Sequence, residues 1–402
     1  MGTRQVRKTS FAILAVCLVL AVASVRDCRT DGDSRPGGVS TTSSDQQAAD
    51  KVAALIDAIY VQNRTDETDA QCAAAKDAWD TLTDAQKALV SGEHADPDYF
   101  GLDTGDASLD DPLNADGIGA NEILVVSFGT SFNESRVEDI GAIEKAIAAA
   151  YPDWSVRRAF TAQIIVNHVQ ARDGEKIDNI EQALDRAVAN GVKNLVVQPT
   201  LLMHGAEYDE AVALVKERAD SFESVRIAEP LLGPAFSDAD ASSADQESVL
   251  QALAADAVAV SGFDSLDAAA ERGTAYVFLG HGTSHSASVA YSQTQAAVAK
   301  LGYNNVWIGT VEGEPETTAC DRVIDAVAAA GFRNVVLRPF MVVAGDHAHN
   351  DMAGDGDDSW QTLFNASGKF DSVETQILGL GRLPAIRDAY LARLSEATET
   401  DE

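Results

Sequence analysis

The sequence has few cysteines, few basic residues and one long apolar run, and each shortage narrows what the protein can be. Its 402 residues include four cysteines, none of them in a Cys-x-x-Cys pair. Cys17 lies inside the apolar run near the N-terminus, which leaves Cys28, Cys72 and Cys320 isolated along the rest of the chain. This pattern predicts neither a disulfide framework nor a cysteine-ligated metal site.

Basic residues are outnumbered by acidic ones. Lysine and arginine total 30 against 63 aspartates and glutamates, which gives a formal net charge of -33. A field of this sign repels nucleic acid and anionic membrane surfaces, so we exclude both as general partners, and it attracts cations. The acidic residues are spread among periodic apolar positions, which indicates a solvated surface rather than a disordered tail.

The one long apolar run lies at the N-terminus. Arg4, Arg7 and Lys8 precede the 15 residues Phe11–Val25, and small residues occur near the end of the run. This is the pattern of an export signal. A membrane-spanning helix needs about 20 apolar residues, so a cleaved signal peptide at residues 1–25 is favoured over an uncleaved anchor. We therefore expect the mature chain to be exported, outside the cytoplasm or at the cell surface.

Three segments separate this signal from the rest of the chain. Residues 26–44 are rich in Asp, Ser, Thr and Gly and are predicted to be a linker. Residues 45–91 have the apolar spacing of helices and resemble the small helical modules of bacterial cell-surface proteins, for which a spacer or adhesion role is the default. Residues 92–120, which contain Asp, Gly and Pro, are predicted to be a second linker.

From residue 121 onward, strand and helix patterns alternate, which is typical of parallel α/β sheets. The predicted strands are Ile123 to Ser127, Val156 to Ala159, Leu195 to Gln198 and Val225 to Ala228, then Val277 to Leu279, Val306 to Ile308, Val335 to Leu337 and Val373 to Ile377. The pattern predicts two similar lobes, 121–240 and 241–402, each a four-stranded parallel sheet flanked by helices, with a cleft between them.

The two halves align directly. Ser127-Phe128-Gly129-Thr130-Ser131 matches Gly280-His281-Gly282-Thr283-Ser284, and the Gly-Val-Lys-Asn segment from Gly191 matches the Gly-Phe-Arg-Asn segment from Gly331. In this alignment His281, Glu312 and His347 of the second half fall on Phe128, Ala162 and Glu207 of the first. The fold therefore does not itself require histidine or glutamate at these positions.

Three strands of the second half are each followed by a chemically useful side chain. His281, Glu312 and His347 come after the strands that begin at Val277, Val306 and Val335. Ligands of open α/β sheets bind at the carboxyl ends of the strands, so we expect these side chains to converge. Two imidazoles and a carboxylate can bind a divalent metal and leave open positions on it. Glu314 is the rival for the role of Glu312.

Other polar residues are candidates for contact with a bound substrate. Thr130, Ser131 and Thr283 follow glycines before helix starts, where they act either as helix caps or as anion contacts. Because basic residues are scarce, Arg136 and Arg158 are candidates to bind substrate carboxylates. We expect the following substrate contacts: Ser127, Thr130, Ser131, Arg136, Arg158, His204 and Thr283. The roles of His285 and His349, between outer contacts and plain surface residues, are left open.

These motifs together resemble a known family. Val125-Val126-Ser127-Phe128-Gly129-Thr130-Ser131, Gly280-His281-Gly282-Thr283, and the segment from Val343-Ala344-Gly345-Asp346-His347 to Asp355 are similar to those of the anaerobic-type sirohydrochlorin cobaltochelatases of cobalamin synthesis. The likeness covers about residues 121 to 395. It implies the two-lobed fold of the class II chelatases, a lyase-class reaction that inserts Co2+ into sirohydrochlorin with release of two protons, and His281, Glu312 and His347 as metal ligands. His281 and His347 would also accept the protons.

The resemblance leaves the metal and the context of the reaction open. A His-Glu-His set does not distinguish Co2+ from Fe2+, Ni2+ or Zn2+. No organic cofactor is required, and the expected partner is a tetrapyrrole. The alternative is an exported metal- or tetrapyrrole-binding protein on the same scaffold, without turnover. A cell-surface partner of the helical module and a homo-oligomer are also left open.

Overall fold

The computed structural model describes residues 43–234 and 238–399. The predicted signal peptide, residues 1–25, lies outside the described residues, as does nearly all of the predicted linker at 26–44. Within the described ranges, no helix combines the length and the apolar character needed to cross a membrane.

Among the described residues, four α-helices precede the first strand. They are α1 (Ser43–Ile59), α2 (Thr68–Asp80), α3 (Asp84–Lys87) and α4 (Asp98–Gly101). Their shared core includes Val52, Ile56, Ile59, Trp79 and Phe100, all buried. The apolar stripe that predicted these helices is therefore the face that they bury against one another.

The first lobe is a sheet of four parallel strands in the order β2-β1-β3-β4. The strands are β1 (Asn121–Ser127), β2 (Ser155–Phe160), β3 (Asn194–Pro199) and β4 (Ser224–Ile227). The helices are α5 (Asn133–Ser135), α6 (Gly141–Ala150), α7 (Gln163–Asp173), α8 (Ile180–Ala189) and α9 (Ala206–Arg218), with a π turn at Arg136–Ile140 between α5 and α6.

The second lobe repeats this topology, with strand order β6-β5-β7-β8. Its strands are β5 (Thr274–Gly280), β6 (Val306–Thr310), β7 (Asn334–Pro339) and β8 (Ser372–Thr375). Its helices are α10 (Ala244–Val260), α11 (Leu266–Glu271), α12 (Val289–Lys300), α13 (Cys320–Ala329) and α14 (Trp360–Ala366), and the last helix of the chain is α15 (Pro384–Glu399). The predicted pair of four-stranded parallel lobes is confirmed.

The internal repeat extends to single hydrogen bonds. The amide of Ala162 donates to the carbonyl of Phe128 at 3.2 Å, and the amide of Glu312 donates to the carbonyl of His281 at 2.8 Å. Gly129 lies in the turn that follows β1 and has a φ of 101°, at which a residue with a side chain is strained. A Cβ added at this position would lie 2.5 Å from the ring of Phe160. The two strand-to-helix turns therefore have the same backbone course.

Two segments lie against the first lobe although the sequence analysis did not assign them to it. Helix α15 contacts α6, β3 and β4 of the first lobe, although the sequence placed it within 241–402. Its buried residues Ile386, Tyr390 and Leu394 lie on one stripe of the helix, and the Tyr390 hydroxyl donates to the Leu201 carbonyl at 3.1 Å. The last described helix therefore packs against the first lobe.

The predicted second linker is also packed against the first lobe. The carbonyl of Thr104 accepts a bond from the Glu134 amide at 2.8 Å, and the carbonyl of Gly105 accepts one from the Asn133 side chain at 3.1 Å. Helix α2 contacts α7, and His168 on α7 stacks on Tyr99 at a centroid distance of 4.0 Å. The helices before β1 and the segment that follows them therefore form part of the surface of the first lobe.

Candidate metal centre at the interlobe cleft

Sheet order brings the three predicted metal ligands together. His281 directly follows β5, Glu312 lies two residues after β6, and His347 lies in the turn after β7. Strands β6, β5 and β7 are neighbours in the second sheet and run in parallel, so their carboxyl ends share one edge. This edge is where open α/β sheets bind their ligands.

The side chains meet at that edge. The rings of His281 and His347 have centroids 4.3 Å apart and planes at 71° to each other. His281 Nε2 lies 3.8 Å from Glu312 Oε1. Two donor atoms that share one ion lie about 3 to 3.5 Å apart, because each is about 2.1 Å from the metal. A small side-chain rotation is therefore enough for His281 and Glu312 to share a cation, and all three side chains are partly open to solvent.

The Nδ1 atom of each imidazole makes a hydrogen bond that holds the ring. His281 Nδ1 lies 2.7 Å from the carbonyl oxygen of Gly282, and His347 Nδ1 lies 2.6 Å from Asp351 Oδ2. Both oxygens only accept, so Nδ1 carries the proton and donates it in each pair. That leaves the Nε2 lone pair of each neutral ring free for a metal, and fixes the orientation of the ring.

The two histidines have opposite pKa shifts. Burial, helped by the nearby His347, lowers the pKa of His281 below its ordinary value. Burial also acts to lower the pKa of His347, but the hydrogen bond and the charge of Asp351 outweigh it, and the pKa of His347 is raised. Paired groups whose surroundings separate their pKa values divide the acid and base roles between them. Of the two, His281 is thus the weaker base and the more readily neutral ring, and His347 is the stronger proton acceptor.

Asp351 and Asp346 are the residues that the sequence reasoning missed. Donor atoms of Asp346, His347 and Asp351 all lie within 4.8 Å of one another. The available signal was the spacing of four between His347 and Asp351, which places the two side chains together on one helical turn. Glu312 lies beside His281, and the backbone carbonyl of its rival Glu314 accepts a bond from Thr310 Oγ1 at 3.3 Å.

The first lobe faces this edge. Glu207, at the start of α9, lies close enough for its charge to act on His281. His285 Nε2 is 3.4 Å from Asp209 Oδ2 on α9, and His349 stacks on Phe132 with centroids 4.1 Å apart. The two histidines whose roles were left open therefore both contact the opposite lobe.

The structure corrects the predicted roles of two arginines. Arg136 and Arg158 are fully buried, with relative exposures of 0% and 1%. Both pair with Asp110, at 2.6 Å each, and Arg158 also pairs with Glu144 at 2.6 Å. Their guanidinium groups are occupied inside the first lobe, so they do not reach a substrate in the cleft.

The predicted hydroxyl contacts separate into two groups. Ser127 and Thr130 are buried, and the Ser127 hydroxyl is bonded to that of Thr200, so the expectation that these two contact substrate is also corrected. Thr130 and Thr283 each accept a bond from the amide two residues ahead, at 3.1 Å, which is a local turn contact. Thr283 itself is half-buried.

His204 and Ser131 remain partly accessible. His204 Nε2 lies 2.5 Å from Glu229 Oε2, and its ring lies 4.1 Å from that of Tyr208. The carbonyl of Ser131 accepts a bond from Arg172 at 2.6 Å, and its side chain is half-buried. For Ser131, His204 and Thr283, contact with substrate stays a prediction.

Two like parallel α/β lobes, with two imidazoles and a carboxylate at one sheet edge, define an α/β protein whose donor atoms suit a divalent cation. Residues 121–399 match the family described as cobalt chelatase (CbiK). The chain belongs to this family. The helices before β1 lie outside the matched range.

Two curated relatives support this family assignment. A sirohydrochlorin cobaltochelatase of Salmonella typhimurium is 35% identical over 275 residues, which are 68% of this chain and 95% of that protein. The sirohydrochlorin cobaltochelatase CbiKC of Nitratidesulfovibrio vulgaris is 31% identical over 248 residues, 61% of this chain and 80% of that protein. Among solved structures, SirB from Bacillus subtilis with Fe3+ is 16% identical with a TM-score of 0.46, covering 70% of this chain and 96% of its own.

Proposed function

We propose that this protein is a sirohydrochlorin cobaltochelatase that inserts Co2+ into the macrocycle, with His281, Glu312 and His347 holding the metal as it enters. Membership of the cobalt chelatase family and the names of the two curated relatives support the reaction. The observation that carries the site assignment is the meeting of the three side chains at one sheet edge, with His281 Nε2 3.8 Å from Glu312 Oε1.

The chemistry of insertion matches this set of donors. The site must hold the ion firmly enough to bind it and loosely enough to pass it to the four ring nitrogens. Two neutral imidazoles and one carboxylate leave coordination positions open, through which the macrocycle nitrogens can replace the protein ligands one at a time. Glu312 is the most exposed of the three side chains and is therefore the first that a macrocycle would meet.

Protons must leave as the metal enters. Free sirohydrochlorin carries two N–H protons at its centre, and both are released when Co2+ takes their place. His347 accepts a proton most readily, because Asp351 stabilises the imidazolium form. As His347 takes up a proton it ceases to be a metal ligand, so proton transfer also helps to release the ion from the protein.

The direct test is multiple turnover. Purified protein is mixed with a large excess of sirohydrochlorin and with Co2+, and the absorption spectrum of the metal-free macrocycle is followed against a protein-free control. We expect the spectrum to convert fully, at a rate proportional to protein concentration. A change that stops after one macrocycle per protein would instead support the binding protein without turnover, which the relatives do not favour.

We propose Co2+ as the substrate metal, with Fe2+, Ni2+ and Zn2+ as the alternatives to test. The relatives' names support cobalt. The donor set alone does not select it, because affinity for a site of this kind rises from Fe2+ through Co2+ to Ni2+. Competition between equimolar metals in the same assay, with the products separated by their spectra, measures the preference directly.

We also propose that the protein acts outside the cytoplasm. The support is Arg4, Arg7 and Lys8 ahead of the apolar run Phe11–Val25. Expression in a bacterial host, cell fractionation and mass measurement of the product test it. An exported chain that lacks about the first 25 residues is expected, and a full-length chain confined to the cytoplasm would contradict the proposal.

A further inference from the structure

One large apolar side chain is exposed where the first lobe faces the metal site. Phe128, directly after β1, is 39% exposed, although the neighbouring Ser127 and Thr130 are almost fully buried. Among the described residues of the two lobes, it is the one aromatic side chain in the set of exposed large apolar residues. An exposed aromatic ring between buried neighbours, at the carboxyl end of a central strand, is in the position of a ligand contact.

Phe128 has the same place in the first lobe that the metal ligand His281 has in the second. Each follows the central strand of its sheet, β1 or β5, and each precedes a glycine with positive φ. The carbonyl of Phe128 accepts from the amide of Ala162, as the carbonyl of His281 accepts from that of Glu312. The first lobe therefore has the phenyl ring of Phe128 and the methyl group of Ala162 at the positions where the second has an imidazole and a carboxylate.

The turn that carries Phe128 contacts the turn that carries His347. A Cβ added at Gly345 would lie 2.9 Å from Thr130 Oγ1, and the ring of Phe132 stacks on His349 at 4.1 Å. Thr130 and Phe132 thus contact the turn that carries His347. Phe128 follows β1 two residues before Thr130, so it lies beside this contact between the lobes.

We propose that Phe128 is a specificity-determining residue whose ring packs against the conjugated face of the macrocycle and holds it over His281, Glu312 and His347. This inference rests on the proposed function. The first lobe then supplies contact area without metal affinity, and the second supplies the metal, so the ion is bound on one face of the macrocycle only.

The physical basis is the difference between the two faces of the cleft. A planar conjugated macrocycle buries a large apolar area when an aromatic ring packs flat on it, and offset stacking adds to that burial. Phenyl has no lone pair for a cation, so it does not compete with the second lobe for Co2+. Phe128 is therefore expected to affect binding of the macrocycle and to leave binding of the metal unchanged.

The test uses the full chain and two binding titrations. Metal-free sirohydrochlorin is titrated into the wild type, Phe128→Ala, Phe128→Leu and Phe128→Tyr, with binding followed by the macrocycle spectrum; Co2+ is titrated separately without macrocycle. We expect Phe128→Ala to weaken macrocycle binding about tenfold, Phe128→Leu to weaken it less, and Phe128→Tyr to restore wild-type binding. The affinity for Co2+ should not change in any variant.

Val260→Ala is the matched control, since Val260 is also exposed but lies at the end of α10. Wild-type macrocycle affinity in both Phe128→Ala and Phe128→Leu would overturn the inference, as would equal loss in all three Phe128 variants. If Phe128→Ala does not fold, the comparison of Phe128→Leu with Phe128→Tyr decides alone. Failure of the wild type to insert Co2+ while the Phe128 variants still differ in macrocycle binding would count against the proposed reaction and not against the role of Phe128.

Discussion

At the scale of single residues, the metal site depends on what lies behind each histidine. The Nδ1 proton of His281 is held by a backbone carbonyl, which is neutral, whereas that of His347 is held by the carboxylate of Asp351. A carboxylate behind the ring makes the imidazole a stronger base and favours its charged form. The two histidines therefore have different roles although both present Nε2 to the same space.

Replacement of His347 tests the metal site. Because His347 is a proposed metal ligand and the stronger base of the two histidines, we expect His347→Ala to reduce insertion by about 10²- to 10⁴-fold while the protein stays folded. The initial rate with sirohydrochlorin and Co2+ measures activity, and circular dichroism checks the fold. His94→Ala, a change at an exposed histidine of the N-terminal helical region, is the matched control. Full turnover by His347→Ala would refute the assigned role.

Replacement of Asp351 tests the proton-acceptor role by its pH dependence. A raised pKa means that His347 loses its proton at a higher pH than an ordinary histidine does, so insertion by the wild type should rise as pH increases through that pKa. In Asp351→Asn the carboxylate is lost and the pKa of His347 falls. The acidic limb of the kcat/KM profile should then move to lower pH, with metal affinity reduced about tenfold.

Asp357→Asn, in the exposed loop that follows, serves as the control for this change. An unchanged acidic limb in Asp351→Asn would show that His347 does not control the profile.

At the scale of elements, the segment before β1 completes the first lobe. The Asp110 side chain is buried and pairs with both Arg136 and Arg158. Burial alone would raise the pKa of Asp110, but the two guanidinium groups hold it below its usual range. Without Asp110, Arg158 keeps Glu144, whereas the acids left near Arg136 are the more distant Glu175 and Asp173, beside its bond to the Thr130 carbonyl.

Asp110→Asn is therefore expected to destabilise the protein. Removing one partner of a buried ion pair leaves an uncompensated charge, which costs about 3 kcal/mol or more in the free energy of unfolding. Urea denaturation at pH 7 measures the loss. Asp103→Asn is the matched control, because Asp103 lies in the same segment, is exposed and bonds only to the nearby Gly105 amide. Equal stability of the two variants would mean that the segment before β1 is not part of the folded lobe.

The same pair of arginines shows where sequence reasoning fails. The eight strands were predicted because apolar runs of three to five residues alternate with helical stripes, and the metal ligands because each follows one of those strands. Arg136 and Arg158 were misassigned because their partner Asp110 lies in a Gly- and Asp-containing stretch that reads as a linker. Asp110 lies 26 positions before Arg136 and 48 positions before Arg158. No spacing rule connects residues so far apart, so only the folded structure shows the pairing.

At the scale of the whole molecule, the lobes are joined next to the site. Asp139 of the first lobe accepts bonds from the amide of Ala344 at 2.9 Å and from Arg382 at 2.7 Å, and Ser135 donates to the Ala344 carbonyl at 2.6 Å. Ala344 lies three residues before His347. The first lobe therefore anchors the turn that carries the proposed ligand His347, so the position of His347 depends on the contact between the lobes.

The net charge of -33 acts on both substrates, and in opposite directions. A strongly negative protein attracts Co2+ and repels sirohydrochlorin, whose side chains are carboxylates. Raising the ionic strength from about 0.01 M to about 0.15 M shortens the screening length from about 30 Å to about 8 Å, which weakens both effects.

We expect kcat/KM for Co2+ to fall about tenfold over this range and kcat/KM for sirohydrochlorin to rise, with kcat little changed. Initial rates at varied sodium chloride, with each substrate limiting in turn, measure the two slopes. Slopes of the same sign would show that local contacts in the cleft, rather than the charge of the whole molecule, govern the approach of one of the substrates.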